Sequence, residues 1–176
     1  MILLITGASH TGKTLLASRL TAQTGYSCLS LDLLKMGLIR SGYTSLTPEE
    51  DEKMTAYLWP IVREMIRTAI ENRQNLIVEG VYIPLTWREN FTLEEQKDIR
   101  FCCLVMTRRY IQAHFADIRK WASVVERRLE DSSCTLASVL EDNARLEAEC
   151  RRQSCEMLMI DGEYEVDWNP QAGYRE

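Results

Sequence analysis

Two glycines, a lysine and a threonine stand in one short stretch near the start of the chain, GASHTGKT from Gly7 to Thr14, and an apolar run of Ile2, Leu3, Leu4 and Ile5 precedes them. Glycines at this spacing let the backbone curl so that successive N–H groups point inward as an anion-binding nest. The stretch fits G-x-x-x-x-G-K-[ST] in full, with a strand before it and a helix after it, as the pattern requires. Its chemistry is phosphate binding. The backbone from Gly7 through Ala8, Ser9, His10, Thr11 and Gly12 cradles the chain of phosphates, and a helix starting near Gly12 adds the positive end of its dipole. Lys13 reaches the β- and γ-phosphates, and the Thr14 hydroxyl can hold Mg²⁺. A glycine-rich turn with no ligand is the plain alternative. With glycine at about 7% of residues, so complete a match in the right context is rare by accident. The His10 side chain is expected to face solvent.

Two carboxylates can complete such a site. Asp32, in CLSLDLLKMG, stands at the carboxyl end of an apolar run, where a carboxylate can take the proton of an attacking hydroxyl. It could equally cap the short helix that follows. Glu79 ends NLIVE, and an acid at the end of a buried strand needs a partner. Its expected task is to order Mg²⁺ or to touch the acceptor, with Gly80 letting the chain pass close to the ligand. Arginines and a lysine crowd a later segment: Arg108, Arg109, Arg119, Lys120, Arg127 and Arg128. Eleven residues of helix return to nearly the same face, which would align Arg108 with Arg119. A solvated helix face paired with Asp117, Glu126 and Glu130 accounts for several of these residues without function. An acceptor pocket between Asp32 and the next long helix would draw on Lys35, Arg40, Tyr43, Tyr57, Trp59, Tyr82 and Arg88.

The elements that must hold these residues alternate. Strands are expected at Ile2 to Thr6, Tyr26 to Leu31, Asn75 to Glu79, Arg100 to Met106 and Cys155 to Ile160. Helices are expected at Lys13 to Thr24, with Gly25 just past the end, at Leu33 to Arg40, at about Arg109 to Leu129 and at about Thr135 to Gln153. Another long helix is expected to begin at Thr47-Pro48, with Thr47 capping it and Pro48 at the first helical position. Met54, Leu58, Ile61, Val62, Met65, Ile66, Ala69 and Ile70 form its apolar stripe, and Pro60 should kink it. Strands that are continuously apolar mark a parallel sheet covered on both faces. The expected fold is therefore a three-layer α/β/α sandwich with its ligands along one edge of the sheet.

GASHTGKT in this setting resembles the P-loop NTPases. Among them the chain is similar to the small P-loop kinases: nucleoside monophosphate kinases, shikimate kinase, chloramphenicol phosphotransferase and the zeta toxins. The resemblance is strongest over residues 1–42 and 75–80. It implies a five-stranded parallel sheet in the order 2-3-1-4-5 and an ATP and Mg²⁺ site at the loop, with Thr14 and Glu79 on the metal. It also implies a mobile helical lid at about 107–131, and a single domain over 1–165 followed by a polar tail, 166–176. Lys13, Asp32, Glu79, Arg119, Arg108 and Arg127 would then be catalytic, and Asp161-Gly162 would begin the loop flanking the adenine. The implied activity is transfer of the γ-phosphoryl group to a hydroxyl or phosphate of a small metabolite. A nucleoside monophosphate kinase is the rival within that class, and a regulatory NTPase without an acceptor is the rival outside it. No N-K-x-D guanine signature occurs, which favours ATP over GTP.

The bulk properties agree with this. The chain has 176 residues, 45% of them hydrophobic and 27% charged, with a net charge of -5. That is enough chain for one ordinary domain, and a mildly acidic one is poorly suited to a nucleic-acid backbone. No basic leader and no apolar run of membrane-spanning length are visible. The six cysteines are scattered, without a C-x-x-C pair, and those at Cys28, Cys102 and Cys103 read as small buried apolar residues. A reducing, cytoplasmic setting is expected.

Overall fold

Leu3 and Ile5 point to one face of a sheet and Ile2 and Leu4 to the other, and all four are fully buried. A strand that buries both faces belongs in the middle of a covered sheet, and that is where the chain places it. The computed structural model describes residues 1–48, 50–125 and 134–170. Its elements are β1 (Ile2–Gly7), α1 (Lys13–Thr24), β2 (Ser27–Ser30), α2 (Leu31–Arg40), α3 (Asp51–Glu71), β3 (Leu76–Glu79), a 3₁₀ turn (Trp87–Asn90), α4 (Leu93–Lys97), β4 (Ile99–Met106), α5 (Arg108–Val125), α6 (Leu136–Arg152) and β5 (Met157–Ile160). The strands form one sheet in the order β2-β3-β1-β4-β5, and every neighbouring pair is parallel. The expected fold class and strand order are both observed.

On one face, Ile2, Leu4, Val78, Phe101 and Cys103 pack against α2, α3 and the 3₁₀ turn. On the other, Leu3, Ile5, Ile77, Cys102 and Leu104 meet α1, α5 and α6. Cys102 and Cys103 are thus buried on opposite faces, whereas Cys28 is exposed on the edge strand β2, against its reading as a core residue.

Several expected boundaries are corrected. α3 begins at Asp51, not at Thr47-Pro48. The Glu50 carboxylate accepts from the Thr47 N–H at 3.0 Å and the Glu50 N–H donates to the Thr47 carbonyl at 3.2 Å, so these residues close a turn ahead of the helix. α3 also runs through Pro60 as one helix. Pro60 cannot donate to the Ala56 carbonyl, a defect of about 3 kcal/mol. Met54, Leu58, Val62 and Ile66 lie on the same helix fully buried, and each contributes about 1.5–3 kcal/mol, which outweighs the defect. A break in helical geometry that the sequence did not announce falls in α5, at His114 (φ -119°, ψ 18°). The 3₁₀ turn and α4 were not expected. Val166 and Trp168, placed in the polar tail by sequence, are buried against the α1 face, with Trp168 Nε1 donating to Glu156 at 2.9 Å.

Candidate active site

The carboxyl end of β1 leads into the glycine loop, and the backbone there takes shapes that only glycine accepts without strain. Gly7 has φ 150°, and a Cβ on it would lie 2.5 Å from the Leu104 carbonyl oxygen. Gly12 has φ 81°. His10 adopts φ 66° without being glycine and is partly buried rather than wholly in solvent. Thr11 is fully buried; its hydroxyl donates to the Ala8 carbonyl at 2.8 Å, and the Lys13 ammonium donates to the same oxygen at 2.8 Å. Lys13 therefore lies curled over the loop it follows, only 7% exposed. α1 starts at Lys13 without a side-chain cap, so its first N–H groups remain available beside the loop. Inward backbone, helix start and ammonium together fit a chain of phosphates.

β3 lies between β1 and β2 and delivers Glu79 beside the loop, in register with Ile5 on one side and Ser30 on the other. Glu79 is 2% exposed. The Thr14 hydroxyl donates to its Oε2 at 3.4 Å. Burial pushes the Glu79 carboxyl above the ordinary range and the Asp32 charge adds to this, while hydrogen bonding from Ser30 and Thr14 and the charge of Lys13 pull the other way. A buried acid raised in this way favours a cation. Thr14 and Glu79 are oxygen donors suited to Mg²⁺, which keeps several waters and completes its shell with substrate phosphates. Among the described residues no cluster of three His, Cys, Asp or Glu side chains is arranged to hold a metal by itself.

Asp32 sits in the first turn of α2, one residue inside the helix, and Ser30 holds the cap position. The capping role open to Asp32 in the sequence is thus excluded. Its carboxylate lies 3.3 Å from the Lys35 ammonium. Lys35 donates to the Tyr82 hydroxyl at 2.7 Å, and Tyr82 donates to Asp51 at 2.8 Å. Other pocket candidates are engaged elsewhere. Trp59 donates to Asn90 at 2.6 Å and meets Phe91 edge-on. Tyr57 donates to the Tyr43 carbonyl at 3.0 Å, and Tyr43 is 77% exposed. Arg40 is exposed at the far end of α2. Arg88 stacks over Trp87 at 4.8 Å and interacts with Cys155, which precedes β5.

Arg108 opens α5, and both it and Arg119 are exposed. The break at His114 interrupts the helical phase between them, so eleven residues of spacing do not keep them on one straight face. Arg109 is the arginine tied to the sheet: it grips Asp161 at 2.7 and 3.0 Å, and this pairing holds the Asp161 carboxyl below its usual range. Arg127 lies outside the described residues.

Two side chains at the site carried no sequence signal that was read. Tyr164, just past β5, donates its hydroxyl to the Thr11 carbonyl at 2.9 Å and lies directly on Gly12, whose Cβ would fall 1.5 Å from the tyrosine oxygen. Burial pushes the Tyr164 hydroxyl up to about 12. Asp51 was hidden among the acids of TPEED. Nothing local in either stretch announces a partner that is distant in sequence.

No family model and no curated protein matches the chain. Solved structures do. Deoxyadenosine kinase from M. mycoides, in a structure with the products dCMP and a flexible dCDP, superposes with a TM-score of 0.54 at 15% identity, over 92% of this chain and 90% of that one. The same kinase with bound dATP gives 0.52 at 13% identity, over 94% and 93%. Shikimate kinase from Aquifex aeolicus gives 0.48 at 12% identity, over 94% and 88%. At such identities the likeness to the M. mycoides kinase is one of fold, and it extends over nearly the whole of both chains. The chain has the fold of the small P-loop kinases.

Proposed function

We propose that the protein is an ATP-dependent kinase that transfers the γ-phosphoryl group to a small metabolite. The observation that carries this is the convergence of Lys13, Thr14, Glu79 and Asp32 at the carboxyl edge of β1, β2 and β3, around a loop whose backbone only glycine can form. The kinase fold and the nucleotides named with the M. mycoides enzyme support it.

In this reading the loop from Gly7 to Gly12 holds the phosphates, and Lys13 swings from the Ala8 carbonyl onto the β- and γ-oxygens. Thr14 and Glu79 would hold Mg²⁺, which would supply positive charge against the transferring group. Asp32 accepts the proton of the acceptor hydroxyl as its oxygen bonds to the γ-phosphorus. The bond from that phosphorus to the β,γ-bridging oxygen breaks, and ADP leaves. Arg108, Arg119 and Arg127 are proposed to bring positive charge to the γ-oxygens when the segment at about 107–131 closes as a lid. The regulatory alternative needs no acceptor pocket, whereas Asp32, Lys35, Tyr82 and Asp51 form a wall of polar groups beside the loop.

A coupled assay of ADP release with Mg²⁺-ATP and a panel of metabolites tests this. Release that rises only with a particular small molecule is expected. Steady release independent of any added compound would identify an NTPase without an acceptor.

A further inference from the structure

Three segments meet beside the phosphate loop through one unbroken run of polar contacts. Asp32 and Lys35, on α2, are 3.3 Å apart. Lys35 donates across to the Tyr82 hydroxyl, in the loop after β3, at 2.7 Å. Tyr82 donates on to Asp51, the first residue of α3, at 2.8 Å. Tyr82 is 1% exposed, so the run is anchored in the core. Its Asp32 end lies near Glu79, and Glu79 faces Thr14.

The charges along this wall are unequal. Asp32 and Asp51 supply two carboxylates and Lys35 supplies one ammonium, set between Asp32 and Tyr82; beyond Asp32, the Glu79 carboxylate feels the charge of Lys13. An anionic acceptor that reached that ammonium would share it with the Asp32 carboxylate, setting two negative groups against one positive one, with Asp51 adding a further negative charge along the run. Neither arginine that the sequence offered for a phosphomonoester, Arg40 or Arg88, is engaged with this run. Arg40 is eight residues along α2 from Asp32, about 12 Å at 1.5 Å per residue, and exposed. The Arg88 guanidinium lies over Trp87 and interacts with Cys155. An alcohol suits the wall better. Each O–H can donate to a carboxylate that would otherwise lose water without compensation, and a site built around such donors discriminates strongly against groups that cannot donate.

Resting on the kinase reading, we propose that Asp32, Lys35, Tyr82 and Asp51 form the acceptor-binding wall, and that it selects an alcohol carrying no negative charge over the phosphorylated or carboxylated form of the same skeleton. Asp51 is the specificity-determining residue here, Tyr82 is buried and positions Lys35 and Asp51, and Asp32 alone among the four handles the transferred proton.

The test measures kcat/KM for ADP release with Mg²⁺-ATP and matched pairs: adenosine against adenosine 5′-monophosphate, sorbitol against gluconate, and glucosamine against glucosamine 6-phosphate. The uncharged or cationic member is expected to be preferred by about tenfold or more in every pair that turns over, since like charges set opposite each other penalise the wrong partner. Asp51→Lys is expected to cut that ratio by about tenfold, through KM for the anionic member. Asp51→Asn, which keeps an acceptor for Tyr82, is expected to cut it by about threefold and serves if the lysine variant does not fold. Preference for the anionic member, equal use of both, or an unchanged ratio in a folded Asp51 variant would overturn the selectivity and leave the kinase reading standing. ADP release that no compound raises above Mg²⁺-ATP alone would contradict the kinase reading itself.

Discussion

The Thr14 hydroxyl and the Glu79 carboxylate face each other across 3.4 Å, although 65 residues separate them in the chain. Parallel pairing of β1 with β3, with Ile5 opposite Glu79, is what brings them together. One residue belongs to the phosphate loop's helix and the other to the end of a neighbouring strand. A divalent cation that touches both therefore depends on the strand order as much as on the loop.

Glu79 should leave a signature in the pH dependence of stability. Its carboxyl keeps its proton to higher pH in the folded chain than in the unfolded one, chiefly through burial. From the ordinary glutamate value of about 4.3 up to the raised folded value, the native state binds more protons, so the stability of the nucleotide-free protein falls as pH rises through that window. Glu79→Gln should flatten the profile and raise Tm at neutral pH, while lowering kcat by on the order of 10²-fold. Melting curves across this range check it; a variant whose profile parallels the parent's would show that Glu79 is not the group responsible.

Lys13→Ala should remove turnover without unfolding the chain. In the loop the ammonium donates to the Ala8 carbonyl at 2.8 Å, a bond worth about 0.5–1.5 kcal/mol, whereas its loss at the transferring phosphate should cost about 10²–10³-fold in kcat. Activity measured beside circular dichroism checks this, and full turnover in a folded variant would count against the mechanism.

Tyr164 and Gly12 should behave as a coupled pair. Tyr164→Phe loses the hydrogen bond to Thr11 and should cost about 0.5–1.5 kcal/mol. Gly12→Ala puts a methyl group where the tyrosine oxygen lies and forces a left-handed alanine, so it should cost more. In a Tyr164→Ala background the clash is gone, and the added cost of Gly12→Ala should shrink by about 1 kcal/mol or more. Denaturant titrations of the four proteins give the coupling; simple additivity would mean that the two residues do not meet.

Arg108→Ala and Arg119→Ala should each lower kcat by about tenfold or more and leave stability within about 0.5 kcal/mol, since both side chains are exposed. Arg109→Ala is the comparison. Its pair with Asp161 is a surface one, 75% and 41% exposed, and solvent screening leaves such a pair little weight in stability. An equal loss of kcat from all three would point to a general effect of positive charge rather than to particular arginines at the phosphoryl group.

The layers were legible because a parallel sheet buries both faces of its strands, as the run Ile2–Ile5 shows; the strand order came only with the resemblance to the small P-loop kinases. The phosphate loop was legible because its shape demands glycine at 7 and 12. Relationships that tertiary packing decides were harder to read. Pro60 is carried within α3 by its buried stripe, and α5 breaks at His114, where no proline or glycine marks the position. Thr47 lost its capping role to a turn closed by Glu50. The short α4 was foreseeable, since Thr92 and Glu95 spell a capping box that the structure forms. Asp51 and Tyr164 join the site only through partners 31 and 153 residues away, which no local pattern encodes.

The claim at the centre is that a phosphoryl group leaves ATP for an acceptor bound beside Asp32. Following the reaction by ³¹P NMR, with Mg²⁺-ATP and an alcohol that stimulates ADP release, tests it most directly. A new phosphomonoester signal growing in step with ADP, and lost in Asp32→Asn, is the predicted result. Growth of inorganic phosphate in its place would contradict it.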